Sequence, residues 1–165
     1  YYAGERLVQN ASLSRMTKPV AVALMVSIGI GLHNFGEGLA IGAAIGLGQV
    51  ALSTFLIVGF AIHNTTEGIA IASPLAKGKI MIRLLAGLGI LAGAPAILGA
   101  WIGGFVYSPF TAIIFLSIGA GAIFQVIVIL IRWLQDEGDK KLSSAAVVSG
   151  LAVGMLVMYL TSILI

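Results

Sequence analysis

Two copies of a short polar motif, His-Asn-x-x-Glu-Gly, lie thirty residues apart in a chain that is otherwise strongly apolar. The copies comprise His33, Asn34, Glu37 and Gly38 in the first and His63, Asn64, Glu67 and Gly68 in the second. Glu37 and Glu67 are the only charged residues between Lys18 and Lys77, and the two motif histidines are the only ones in the chain. Ionisable side chains inside an apolar run are costly in a bilayer, so they indicate a functional site.

The spacing within each copy favours metal ligation. Residues four apart share one face of a helix, so each His and its Glu point the same way. If the two faces meet, two imidazoles and two carboxylates form a four-ligand shell that accepts Zn²⁺, Fe²⁺, Mn²⁺ or Cd²⁺. The amides of Asn34 and Asn64 lie beside this shell and flank a second position, although interhelical hydrogen bonding is an alternative role for them.

The elements that position these residues are predicted to be membrane-spanning helices. The chain has 165 residues, of which 59% are hydrophobic and 9% charged, whereas soluble domains carry about 25% charged residues. The runs are too long and too continuous for strands of a barrel, so helices remain as the spanning structure. The chain has no cysteine, which excludes disulfides and thiolate ligands.

Five apolar segments reach the roughly 20 residues that a spanning helix needs. The predicted fold is therefore an all-α polytopic transmembrane bundle, with residues 19–165 as the transmembrane domain and residues 1–18 as the remnant of a cytoplasmic loop. The predicted spans cover approximately residues 19–47, 50–76, 80–106, 109–133 and 143–165.

The basic residues predict the orientation of the spans. All nine Lys and Arg fall before the first span or in and beside the connections after the second and fourth spans, hence on one side. The positive-inside rule makes that side cytoplasmic, with the chain end at Ile165 outside. We expect an integral protein of the plasma (inner) membrane, in contact with the lipid bilayer.

The repeated motif also predicts a symmetry. Consecutive spans run antiparallel and carry the same motif near their middle, which is typical of inverted-repeat transporters with a midplane site. A full inverted repeat needs three more helices before Tyr1, so we expect a missing N-terminal three-helix portion as an intramolecular partner.

Glycine and proline patterns predict how the helices pack. Three small-residue pairs, Gly89 with Gly93, Gly99 with Gly103 and Gly150 with Gly154, are typical of closely approaching helices. Gly38 and Gly68 are expected to allow close approach just past each Glu. Pro95 predicts a kink in the third span.

The two motif segments, residues 33–42 and 63–70, resemble the metal-binding cores of the fourth and fifth transmembrane helices of the ZIP (Zrt/Irt-like) divalent metal transporters. The resemblance implies an eight-helix fold, of which this chain would supply the last five helices. It further implies import of a divalent metal, zinc first among Zn, Fe, Mn and Cd. The implied primary site comprises His33, Glu37, His63 and Glu67, and the implied secondary site comprises Asn34 and Asn64 with the bridging Glu37 and Glu67.

The chain departs from the family pattern at several positions. Gly36 and Thr66 stand where both motifs usually have proline before the Glu, so the helices are expected to bend less there. Ala94, before Pro95, stands where some bacterial relatives carry a Glu, and Ile129 and Leu130 stand where some carry acidic residues or histidine. We therefore expect one good metal site and a weaker neighbour.

Other functions are weighed against transport. An intramembrane metalloprotease would need His-Glu-x-x-His, which neither copy provides, so no enzymatic activity is expected. The alternative is a non-transporting membrane subunit whose motifs hold a structural metal or lock helices together. The few basic residues are spread over three connections, so no nucleic-acid binding is expected. The sequence leaves open which metal binds and whether two copies form a homodimer.

Overall fold

The computed structural model describes residues 16–78, 81–106, 108–137 and 142–163, which form helices and short connections without any strand. The helices are α1 (Lys18–Gly46), α2 (Val50–Ala72), α3 (Ile82–Phe105), α4 (Pro109–Glu137) and α5 (Ala145–Ile163), and a 3₁₀ turn (Ser73–Leu75) continues α2. Each of the five helices is long and apolar enough to cross a membrane. The prediction of an all-α, five-span integral membrane protein is confirmed.

The helix ends depart from the predicted spans in a few places. Regular α2 ends at Ala72, and Pro74 lies in the 3₁₀ turn that follows. The fourth helix continues to Glu137, four residues past the predicted end, because hydropathy marks where apolar side chains stop and not where the backbone leaves the helix. Residues 1–15, which contain most of the predicted cytoplasmic loop remnant, and the span-end residues 80, 164 and 165 lie outside the described residues.

Helix α1 lies at the centre of the bundle. In the most apolar 18-residue segment of α1, 50% of the residues are buried, whereas the corresponding share in each of the other four helices is at most 17%. It packs most extensively against α3, then α4, then α2, whereas α5 contacts α2. Near the start of α1, Ala23, Val26 and Ile30 form a core with residues of α2, the 3₁₀ turn, α3 and α4: Ile71, Leu75, Leu88, Ala92 and Val126.

The crossing of α1 and α3 depends on glycines that face backbone atoms. A Cβ added at Gly38 or Gly42 would overlap the carbonyl oxygen of Ala96 or Ala100. The relation is reciprocal, because a Cβ added at Gly99 or Gly103 would overlap the carbonyl oxygens of Phe35 and Leu39. Of the three predicted glycine pairs, Gly99–Gly103 is therefore confirmed as a close packing contact between α3 and α1.

The predictions that Gly68 and the other two glycine pairs allow close helix approach are wrong for the described residues. A Cβ added at Gly68, or at either member of the pairs Gly89–Gly93 and Gly150–Gly154, would meet no described atom within 4 Å. These glycines lie on helix faces that no described helix covers, so their spacing does not mark a crossing here.

One ion pair locates the ends of two helices. Lys18 Nζ at the start of α1 lies 3.1 Å from Asp136 Oδ2 near the end of α4. These two helix ends therefore share one end of the bundle, as the predicted alternation of spans requires. We call this the basic end. The opposite end contains the turn between α1 and α2, where Gly48 has a φ of 69°.

Candidate metal site

The first motif copy lies in the middle of α1, where helical geometry brings His33 and Glu37 together. The Nε2 atom of His33 is 3.2 Å from Oε1 of Glu37. The prediction that residues four apart in the motif share a face is confirmed for this copy. Gly119 of α4 packs against the backbone of His33, since a Cβ there would lie 3.4 Å from the His33 Cα.

The two copies meet between α1 and α2. The Nε2 atom of His63 is 2.5 Å from Oε1 of Glu37, and His33 Nε2 is 3.8 Å from Oε1 of Glu67. The ring centroids of His33 and His63 are 6.4 Å apart. Each imidazole therefore lies beside the carboxylate of the other copy, and the Glu37 carboxylate contacts both imidazoles.

Three of the four predicted primary ligands form a compact donor group. His33, Glu37 and His63 each offer one ligand atom within 4.8 Å of the others. Two donors on one tetrahedral zinc ion are roughly 3.4 Å apart, given metal–ligand bonds of about 2.0–2.2 Å. The 3.2 Å separation within α1 is close to this value, while Glu67 reaches the group only through its 3.8 Å approach to His33.

The burial of the four side chains is uneven. Glu37 and His63 are 8% and 9% exposed, Glu67 is 15% exposed, and His33 is 30% exposed. Two carboxylates at this depth carry two negative charges when ionised. One divalent cation would neutralise both charges while the imidazoles bind as neutral ligands, which is a favourable balance in a membrane interior.

The two asparagines have different surroundings. Asn34 donates a hydrogen bond from Nδ2 to the carbonyl oxygen of Ala92 in α3, at 3.1 Å. Asn64 has no hydrogen bond of this kind among the described contacts. The Oδ1 atoms of both side chains, together with Oε2 of Glu67, are buried without a donor in the described structure. Buried oxygens without a donor suit a cation, so a second metal position beside the primary site remains a prediction.

Gly36 and Thr66, which stand where the resemblance to the ZIP motifs predicts proline, have different surroundings in the two helices. Gly36 packs against α4, where an added Cβ would lie 3.6 Å from Leu116 and 3.7 Å from the Phe115 carbonyl. In α2, the Thr66 hydroxyl donates to the carbonyl of His63 at 2.6 Å, and the Thr65 hydroxyl donates to the carbonyl of Ala61 at 3.1 Å. Such bonds from a hydroxyl to the preceding turn often bend a helix.

Sequence reasoning missed a cavity next to the site. It has a volume of about 290 Å³ and lies between the second half of α1, the first half of α2, the end of α3 and the start of α4. Gly36 marks its inner limit, one residue before Glu37, and Leu47 and Gln49 line it near the turn between α1 and α2. The cavity therefore lies toward the end opposite the basic end, and none of the four predicted primary ligands lines it.

Comparison of the chain with protein-family models, curated proteins and solved structures gives no match. The resemblance of the two motifs to the ZIP transporters therefore stays a prediction that rests on the motif residues alone.

Proposed function

We propose that this protein transports divalent transition-metal ions across a membrane, with zinc as the first candidate and iron, manganese or cadmium as further substrates. The observation that carries the proposal is the contact of one carboxylate, Glu37, with the imidazoles of both motif copies. Glu67 lies 3.8 Å from His33 and extends the group toward four ligands. A shared site between two membrane helices is the arrangement that a midplane carrier needs.

The chemistry of the ligands supports transport more than permanent storage. Imidazole and carboxylate bind zinc, iron, manganese and cadmium, and the absence of cysteine excludes a thiolate cage. Binding requires deprotonated ligands, so protons compete with the metal and assist its release. A site of this composition therefore binds its ion reversibly.

The charge distribution supports import as the proposed direction of transport. The described basic residues flanking α1 to α4 include Lys18, Lys77, Arg83 and Arg132, and the positive-inside rule assigns their side to the cytoplasm. The cavity then faces outward, so metal enters through it and leaves toward the basic end. Together with the motif resemblance, this favours a ZIP-type importer in the plasma (inner) membrane.

The test is metal uptake by the intact protein in proteoliposomes loaded with a fluorescent zinc indicator, repeated with cadmium, iron and manganese. Saturable uptake should be lost when Glu37→Ala and Glu67→Ala are combined. Asp136→Asn is the matched control, because it changes a carboxyl group that is far from the motif residues in sequence and pairs with Lys18. Equal uptake by the double variant and the control, with circular dichroism showing the same helix content, would refute the site.

A second function, a non-transporting subunit with a structural metal or a helix lock, is favoured by one observation. Glu37 and His63 are directly hydrogen-bonded at 2.5 Å, so the pair can join α1 to α2 without an ion. Equilibrium zinc binding without uptake would favour a structural metal, and the absence of both would favour the helix lock.

A further inference from the structure

Helix α3 packs more extensively against α1 than any other described helix does, yet it offers the metal site no side chain. Arg83 and Trp101 are the only residues of α3 with a polar side chain, and both are hydrogen-bond donors without an acceptor for a cation. What α3 presents to α1 beside the first motif copy is its backbone. The carbonyl oxygen of Leu91 faces Gly31, and that of Ala92 accepts the hydrogen bond of Asn34.

These two consecutive carbonyls lie in the turn of α3 that Pro95 interrupts. Proline has no N–H, so the carbonyl four residues earlier, that of Leu91, has no donor within the helix. A Cβ added at Gly31 would lie 2.7 Å from the Leu91 oxygen and 3.3 Å from Pro95 Cγ, so α1 comes this close because residue 31 has no side chain. Gly31 and Pro95 therefore bring the next carbonyl, that of Ala92, within reach of Asn34.

The bond to Ala92 fixes which end of the Asn34 amide remains available. Nδ2 donates to the carbonyl oxygen at 3.1 Å. If the amide were turned over, Oδ1 would take that place, and two acceptors would face each other without a proton between them. The side chain therefore keeps its nitrogen toward α3. Asn34 is 3% exposed, and its Oδ1 is left as a buried acceptor without a described donor.

This oxygen belongs to the part of α1 that carries two of the predicted primary ligands. Asn34 directly follows His33 and precedes Glu37 by three residues, so all three lie within about one helical turn. A buried oxygen without a donor suits a cation. Being neutral, it adds no charge to those of Glu37 and Glu67, which one divalent ion already balances.

We propose that α3 takes part in the metal site through its backbone, with Gly31 and Pro95 as positioning residues. They present the Ala92 carbonyl to Asn34, and this bond holds the Asn34 oxygen in place for the metal. The role of the oxygen as a ligand rests on the proposed function, whereas the anchoring of the amide needs no metal. Asn64, which has no such bond among the described contacts, is the unanchored counterpart in the second motif copy.

Nuclear magnetic resonance of the intact, metal-free protein in nanodiscs tests the anchor. The chain has three asparagines, Asn10, Asn34 and Asn64, so selective ¹⁵N labelling of their side chains gives three pairs of amide protons, and Asn34→Ala identifies its pair. One proton of the Asn34 pair should be shifted to higher frequency by its hydrogen bond. Pro95→Ala should reduce this shift, because the restored N–H bonds to Leu91 and draws the turn back into the helix. An unchanged shift in Pro95→Ala would overturn the positioning role of Pro95.

The role of Gly31 has a matched control at the other end of the same helix crossing. Gly31→Ala places a methyl group against the Leu91 carbonyl and should also reduce the shift of the Asn34 proton. A Cβ added at Gly46 would lie 2.8 Å from the Gly104 carbonyl oxygen, so Gly46→Ala introduces a similar overlap away from Pro95. The control should leave the Asn34 proton unchanged. The same response in both glycine variants would overturn the positioning role of Gly31.

Metal affinities measure the consequence for the site. Zinc favours four ligands, whereas manganese favours six and prefers oxygen, so an additional oxygen matters more for manganese. In isothermal titration calorimetry, Asn34→Ala and Pro95→Ala should each weaken Mn²⁺ binding by about tenfold and Zn²⁺ binding by less. Since Pro95 acts through Asn34, Pro95→Ala should cause no further loss when it is added to Asn34→Ala. Additive losses, or equal losses for the two metals, would overturn the proposal.

The two experiments separate failure of the anchor from failure of the proposed function. Wild-type protein that shows the shifted Asn34 proton but binds neither metal would support the anchor and count against the metal function. Protein that binds metal but shows no shifted Asn34 proton would overturn the anchor and leave the metal function standing.

Discussion

The two motif copies share four residue types, yet the molecule surrounds them differently. Gly38 of the first copy faces the backbone of α3, whereas an added Cβ at Gly68 of the second copy would meet nothing within 4 Å. Asn34 is tied to the carbonyl of Ala92, whereas Asn64 has no such bond among the described contacts. The repeat therefore defines a common set of ligands, while the neighbouring helices decide how firmly each copy is held.

The carboxylates give the largest expected difference between the copies. Glu37 contacts both imidazoles, whereas the one imidazole that Glu67 approaches within 4 Å among the described residues is that of His33, at 3.8 Å. We expect Glu37→Ala to weaken zinc binding by about 100-fold or more and Glu67→Ala by about tenfold, because Glu37 belongs to the compact donor group with His33 and His63 and Glu67 lies outside it. Isothermal titration calorimetry on the purified intact protein measures both. Equal losses of zinc affinity in the two variants would mean that the two carboxylates contribute equally once metal is bound.

The glycines give the next largest difference, and it concerns stability. Gly38→Ala forces a methyl group against the Ala96 carbonyl and should cost about 1–3 kcal/mol, as overpacking does. Gly68→Ala meets open space and should leave stability unchanged or raise it by up to about 1 kcal/mol through helix propensity. Thermal unfolding followed by circular dichroism in one detergent compares the two variants. Similar losses in both would show that α2 is covered by structure beyond the described residues.

The asparagines give the smallest difference. Asn34→Ala removes the hydrogen bond to Ala92 and should destabilise the metal-free protein by about 0.6 kcal/mol, the average for such bonds between membrane helices. Asn64→Ala removes no described hydrogen bond and should leave the metal-free unfolding temperature within error of the wild type. A larger loss of stability for Asn64→Ala than for Asn34→Ala would mean that the second motif copy, and not the first, is held more firmly by its asparagine.

Local geometry explains what the sequence predicts well. The five spans follow from the length of the apolar runs, and the pairing of His33 with Glu37 follows from the helix repeat. Both depend only on the backbone of one helix. The approach of Glu37 to His63 required one further assumption, that the two motif faces meet.

Tertiary packing explains what the sequence does not predict. A pattern of two glycines four residues apart looks the same in α3 and α5, but only Gly99 and Gly103 find a partner among the described helices. The bond from Asn34 to Ala92 and the cavity beside Gly36 depend on which helices neighbour α1. Nothing in the spacing of residues along α1 specifies those neighbours.

The crossing of α1 and α3 also has a consequence for the response to bilayer thickness. α1 has 29 residues and, at about 1.5 Å per residue, exceeds a hydrocarbon core of about 30 Å, whereas α5 has 19 residues and matches it. A long helix adapts to a thin bilayer by tilting. The glycines of α1 pack it closely against α3, so α1 cannot tilt alone. Thinning of the bilayer should therefore tilt α1 and α3 together, and His33 and Glu37 move with them.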